Sequence, residues 1–156
     1  MTKTVSIAPV SKTLTVHATQ AHAFETFTAG IDRWWPRSHG VGSTPMVRSA
    51  IEPRPGGRWY TVHEDGSEVV VGHVRVWEPP SRVVFSWEIS AQWKPDASVA
   101  SEVEVAFTAE GPRTTRVDLV HRDFEALGPD GGDKLRRDVA GGWPGLLDLF
   151  RTVAER

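Results

Sequence analysis

Apolar runs separated by turn residues along positions 56–89, GGRWYTVHEDGSEVVVGHVRVWEPPSRVVFSWEI, predict three consecutive strands joined by short turns. Gly56-Gly57 opens the first run, and Glu64-Asp65-Gly66-Ser67 is a hairpin turn into the second. Pro79-Pro80-Ser81 closes the second run, because proline cannot donate to a ladder. In the third run Val83, Phe85, Trp87 and Ile89 share one face, and Val84, Ser86 and Glu88 share the other. That is the pattern of a half-buried antiparallel strand.

The same reading extends along the chain. Met1 to Pro9 is a loose lead-in, and Val10 to His17 alternates as a strand. Thr19 starts a helix with Ala23, Phe24, Phe27 and Ile31 at helical spacing, broken near Gly30. Ile31 to Trp35 forms a short turn that Pro36 stops, and residues 36–45 form a loop. Met46 to Glu52 is a weaker strand. After the three central strands, Ser90 to Ser98 is a polar connection carrying Trp93. Two more strands follow, one with Val103, Val105 and Phe107 on a face and one with Val117, Leu119 and His121, joined by a turn at Glu110-Gly111-Pro112-Arg113.

The last segment, Asp133 to Glu155, carries an apolar stripe through Leu135, Val139, Gly142, Leu146, Leu149 or Phe150, and Val153, the mark of an amphipathic helix. Pro144 lacks the donor that would bond the Ala140 carbonyl, which predicts a kink or break near Ala140 to Trp143. A six- or seven-stranded antiparallel sheet must cover its apolar face, and this helix is the long amphipathic element available. The expected fold is α+β: one domain over residues 1–156, its curved sheet wrapped around the C-terminal helix. Such a grip leaves a cavity suited to a small apolar ligand.

Composition narrows the function. The net charge is -2 with no basic block, which argues against nucleic acid and anionic membranes as partners. Cysteine is absent, so thiolate chemistry and disulfides are excluded and a reducing cytoplasm fits. The N-terminus MTKTVSIAPV has no apolar run long enough for a signal peptide or a membrane span. The partners to expect are a small apolar molecule and a second copy of the chain in a homodimer. No cofactor is implied. Phosphate-loop and dinucleotide fingerprints are missing, as are a nucleophile elbow and the paired-histidine zinc motifs. The acidic cluster His63-Glu64-Asp65 falls in a turn, so no metal site is expected.

Several segments together resemble a known family. They are AFETFTAGIDRWWP at 23–36, EPRPGGRWY at 52–60, DGSEVVVGHVRVWEPPSRVVFSW at 65–87, VEVAFT at 103–108, TRVDLVHRDF at 115–124 and GGWPGLLDLF at 141–150. In that order they look like the activator of heat-shock-protein (90-kDa) ATPase homologue family, within the START, polyketide-cyclase and Bet v allergen-like superfamily. The resemblance implies a helix-grip fold with a deep apolar cavity. It also implies a choice of roles: binding lipids, sterols or polyketides, or cyclising, hydrolysing or dehydrating such compounds. The eukaryotic activators add a separate chaperone-binding domain, for which this chain shows no second unit.

Seven tryptophans are more indole than a plain core needs. The expected ligand-binding residues are Trp35, Trp59, Phe85, Trp87, Phe107, His121 and Trp143. The large rings serve equally as core, since each buries about 150–250 Å² without any ligand. His121 shares the inward face with Val117 and Leu119. There it acts as a hydrogen-bond partner or, with a carboxylate, as an acid–base pair, or else as a buried neutral histidine satisfied by protein groups. His63 and His73 lie on strands and fit structural roles. Three functions follow: a small-molecule binding domain, an enzyme on an apolar aromatic or polyketide-like substrate, and a protein-interaction module linked to chaperones or stress.

Overall fold

A computed structural model describes residues 6–156 of the chain. Of the expected lead-in, residues 1–5 lie outside the described residues. Residues 6–9 have no regular structure, yet they are tied down: the Ile7 N–H donates to Glu125 at 2.8 Å and the Ala8 carbonyl accepts from Arg136 at 2.7 Å.

Seven strands and two helices follow: β1 (Val10–Val16), α1 (Gln20–Phe27), β2 (Met46–Ile51), β3 (Arg58–His63), β4 (Glu68–Glu78), β5 (Arg82–Trp87), β6 (Ser101–Gly111), β7 (Thr114–Arg122) and α2 (Gly128–Ala154). The strands form one antiparallel sheet in the order β1-β7-β6-β5-β4-β3-β2. The chain thus begins at one edge beside its last strand and makes β2 the opposite edge. Inward alternation is strict in β6 and β7, where Val103, Val105, Phe107, Val117, Leu119 and His121 are all buried. Thr19 caps α1 by accepting the His22 N–H at 3.1 Å, which satisfies one orphan donor of the first turn.

Three expectations need correction. First, α2 begins at Gly128, five residues before Asp133. Pro129 suits a first helical turn, where its missing N–H has no intrahelical partner to lose. Gly132 is required there, because a Cβ would lie 2.3 Å from the Phe124 carbonyl oxygen. Second, α2 runs unbroken through Pro144. A proline inside a helix costs about 3 kcal/mol. Trp143, Leu146, Leu147 and Phe150 are buried beside it. Burial of one such side chain contributes about 1.5–3 kcal/mol, so together they outweigh the proline. Trp143, rather than Gly142, lies on the buried stripe, and Phe150 rather than Leu149, which is 44% exposed. Third, β5 is buried on both faces. On its outer face the Ser86 hydroxyl donates to Glu88 and accepts the His73 N–H. Val84 sits in register with Val76 and Glu104, among the Arg82–Glu104 and Arg122–Glu104 ion pairs, whose aliphatic stems cover apolar surface.

Candidate functional site

One face of α2 does not close fully against the sheet, and a cavity of about 400 Å³ opens there. The alternation of β5 aims Trp87 inward at the strand's end, and Ile89 follows two residues on. Val139, Trp143 and Leu146 come from successive turns of α2, spaced three or four residues apart on one side. Trp35 reaches in from the short helical turn after α1. Ser38 to Val41 folds across the mouth from the 36–45 loop, and Trp93 and Asp138 form the opposite lip.

The indoles meet edge to face. Ring centroids lie 6.5 Å apart for Trp35 and Trp87, 6.2 Å for Trp35 and Trp143, and 5.9 Å for Trp87 and Trp143. Aromatic pairs favour such tilted contacts over face-to-face stacks. The wall is therefore apolar and aromatic, and its polar groups are concentrated at the mouth. Asp138 accepts from Lys134 Nζ at 2.8 Å and from Trp93 Nε1 at 3.2 Å. The Lys134 hydrogen bond in particular holds the Asp138 carboxyl below the usual carboxylate range, so it is an anion at neutral pH. His39 sits 3.2 Å from the Ser38 hydroxyl, with its ring edge-on to Trp35.

The structure separates the expected site residues into two sets. Trp35, Trp87 and Trp143 line the cavity. Trp59, Phe85, Phe107 and His121 are buried behind that wall and are absent from its lining. Trp59 backs Trp35 and Phe85 at 5.0 Å from each. Phe107 packs with Phe24 and Phe27.

His121 is fully buried and satisfied on both sides. Trp143 Nε1 donates to its Nδ1 at 3.2 Å, and its Nε2 lies 2.8 Å from the Ser101 hydroxyl. An indole nitrogen only donates, so Nδ1 is the acceptor and Nε2 carries the proton. Desolvation lowers its pKa to about 3, which keeps the ring neutral. Among the described residues no carboxylate is bonded to it. The arrangement suits a structural prop that locks Trp143 in place rather than a general base.

His63 is likewise committed. Its Nδ1 lies 2.7 Å from the Thr44 carbonyl and its Nε2 2.8 Å from the Thr61 hydroxyl. A carbonyl only accepts, so Nδ1 donates and the ring pins the loop that roofs the cavity mouth. His73 faces outward and pairs with Glu88 at 2.7 Å. No group of three or more metal-ligating side chains is assembled among the described residues.

Sequence reasoning missed the mouth. Residues 38–41 fall in what reads only as a loop, and Asp138 lies in the expected helix off its apolar stripe. The local hint was Trp93, a bulky residue in a polar stretch.

An antiparallel sheet gripping a C-terminal helix over an aromatic cavity defines the helix-grip class. Within it, the profile of the family described as activator of Hsp90 ATPase homolog 1-like protein matches residues 15–155, and the chain belongs to that family. A search of curated proteins finds no match. Among solved structures, the chain resembles an anthrahydroquino-gamma-pyrone synthase, Txn09, complexed with SUM: 37% identity over 95% of this chain and 97% of that one, with a TM-score of 0.67. It also resembles CalC, a self-sacrificing resistance protein from Micromonospora echinospora, at 29% identity over 94% and 93% of the two chains, with a TM-score of 0.68. Protein NE0264 from Nitrosomonas europaea, at 12% identity and a TM-score of 0.67, shares the fold. No helix among the described residues is long and apolar enough to cross a membrane.

Proposed function

We propose that the protein binds a small, flat, aromatic molecule of the polyketide class in the cavity between the sheet and α2. The observation that carries this is the convergence of Trp35, Trp87 and Trp143 on one opening of about 400 Å³. Small-molecule sites run from about 300 to 1,000 Å³ and combine an apolar wall with a few placed polar groups. A flat ring system stacks on indole at little conformational cost, and Val71, Ile89, Val139 and Leu146 complete an apolar wall around it. The synthase name of the relative at 37% identity supports the same ligand class. Titrating the protein with anthraquinone is the test. Saturable quenching of tryptophan fluorescence, lost in Trp143→Ala, is expected; absence of quenching up to the solubility limit would refute the reading.

The likeness to a synthase favours a second reading, in which the bound molecule is also cyclised. Proton transfer would then fall to His39 and Asp138 at the mouth, since both nitrogens of His121 are occupied. Incubation with a hydroxyanthraquinone bearing a diketone side chain, followed by mass spectrometry, would reveal ring closure with loss of water. Product formation that survives both His39→Ala and Asp138→Asn would remove these residues from the chemistry.

A further inference from the structure

Trp87 Nε1 is the one buried side-chain nitrogen or oxygen without a hydrogen-bond partner among the described residues. Four other indoles are paired: Trp34 donates to the Thr26 carbonyl, Trp59 to Ser49, Trp93 to Asp138 and Trp143 to His121. Buried donors are almost always paired, because an unpaired one forfeits its hydration for nothing. This orphan belongs to a residue of the cavity wall. Among the described residues its aromatic neighbours offer no spare acceptor: the indoles of Trp35, Trp59 and Trp143 carry only a donor, and His121, with its ring centroid 5.3 Å away, has both nitrogens engaged. A molecule that fills the cavity can bring the acceptor this donor lacks.

Trp87 Nε1 is closed to solvent in the free protein, so its acceptor enters with movement of a neighbour. Trp93 is the neighbour least held. Its ring packs edge-on against Trp87 at 6.3 Å, the residue is 38% exposed, and its side chain is tethered by one hydrogen bond, to Asp138. Its backbone sits at φ 60°, a conformation that bulky residues adopt only under constraint and that concentrates at ligand clamps.

We propose that the ligand carries a ketone or quinone oxygen that accepts the Trp87 Nε1 hydrogen bond, and that Trp93 shifts to admit it. The proposal rests on the ligand-binding reading above and narrows its substrate class to flat aromatic carbonyl compounds. Hydrocarbons of the same outline fill the space but leave the donor unpaired.

The test compares anthraquinone with anthracene, which share a fused-ring outline and differ in their carbonyls, on wild type and Trp87→Phe. The expected result is tighter binding of anthraquinone by the wild type. Trp87→Phe should weaken that binding by about five- to tenfold, the worth of one hydrogen bond, and leave anthracene within about twofold. In the wild type labelled with ¹⁵N at tryptophan, the Trp87 indole N–H resonance should move downfield with anthraquinone and not with anthracene. This reading holds even if Trp87→Phe folds poorly. Trp93→Ala should speed anthraquinone association. If both probes bind and the variant weakens them equally, or the indole resonance ignores anthraquinone, the carbonyl assignment is overturned while the ligand-binding reading stands. An unchanged association rate in Trp93→Ala overturns the entry route. If neither probe binds, both readings fall together.

Discussion

The Trp143 indole N–H donates a hydrogen bond to His121 Nδ1 at 3.2 Å, and this bond joins the middle of α2 to the inner face of β7. It aligns an aromatic wall residue of the cavity by means of a histidine that never reaches the cavity itself. His121 is in turn sandwiched by Phe124, whose ring stacks on it at 4.7 Å.

That burial makes stability depend on pH in a defined direction. The His121 pKa falls from 6.5 in the open chain to about 3 in the fold. Between those values the unfolded chain takes up a proton that the folded chain refuses, so stability drops as pH falls below about 6.5. One such group makes the slope at most about 1.4 kcal/mol per pH unit. Urea denaturation at pH 7 and pH 5 should show wild type losing about 2 kcal/mol more than His121→Gln. Equal losses would mean that His121 is solvated in the native state.

The orientation of α2 sets a second expectation. Leu135 is completely buried, whereas Leu149 is 44% exposed. Leu135→Ala should destabilise by about 2–5 kcal/mol, and Leu149→Ala by about 0.5 kcal/mol or less. Chemical denaturation of the two variants checks the facing of the helix, and a reversed order would rotate it.

Gly72 is a point where the sheet tolerates no side chain. An added Cβ would lie 1.7 Å from the Ser86 carbonyl oxygen, on the neighbouring strand β5. Backbone cannot yield that far within a central pair of strands. Gly72→Ala should cost about 3 kcal/mol or more. A variant with near wild-type melting would show that β4 and β5 are less closely apposed.

The loop over the mouth depends on His63. Besides its bond to the Thr44 carbonyl, its ring fills the space beside Gly42, where a Cβ would come within 2.7 Å. His63→Ala should loosen this loop locally and raise amide exchange at residues 40–44 by about tenfold or more. Amides of β6 and β7 should exchange as before. Uniform acceleration across the sheet would mark global destabilisation rather than release of the loop.

Much of this architecture was legible in local patterns. Apolar runs bounded by turn residues located the strands of the sheet, helical spacing located α2, and Thr19 marked the start of α1, because each of these is decided within a few residues of backbone. The same patterns aimed Trp87 inward but drew the α2 stripe through Gly142 rather than Trp143. They could not rank depth: Phe85 and Trp87 share one face of one strand, yet only Trp87 lines the cavity. Depth depends on where α2 crosses the sheet, a relation between residues far apart in the chain. The bond between Trp143 and His121 is of the same kind, and it turned a candidate base into a buried prop. So are the unbroken helix at Pro144 and the early start at Gly128, where packing outweighs local preference. The sequence by itself determined the elements and their inward faces through short-range sterics and periodicity. Which inward side chains border open space, and which donor is left without a partner, was decided only when the helix, the loop and the sheet met.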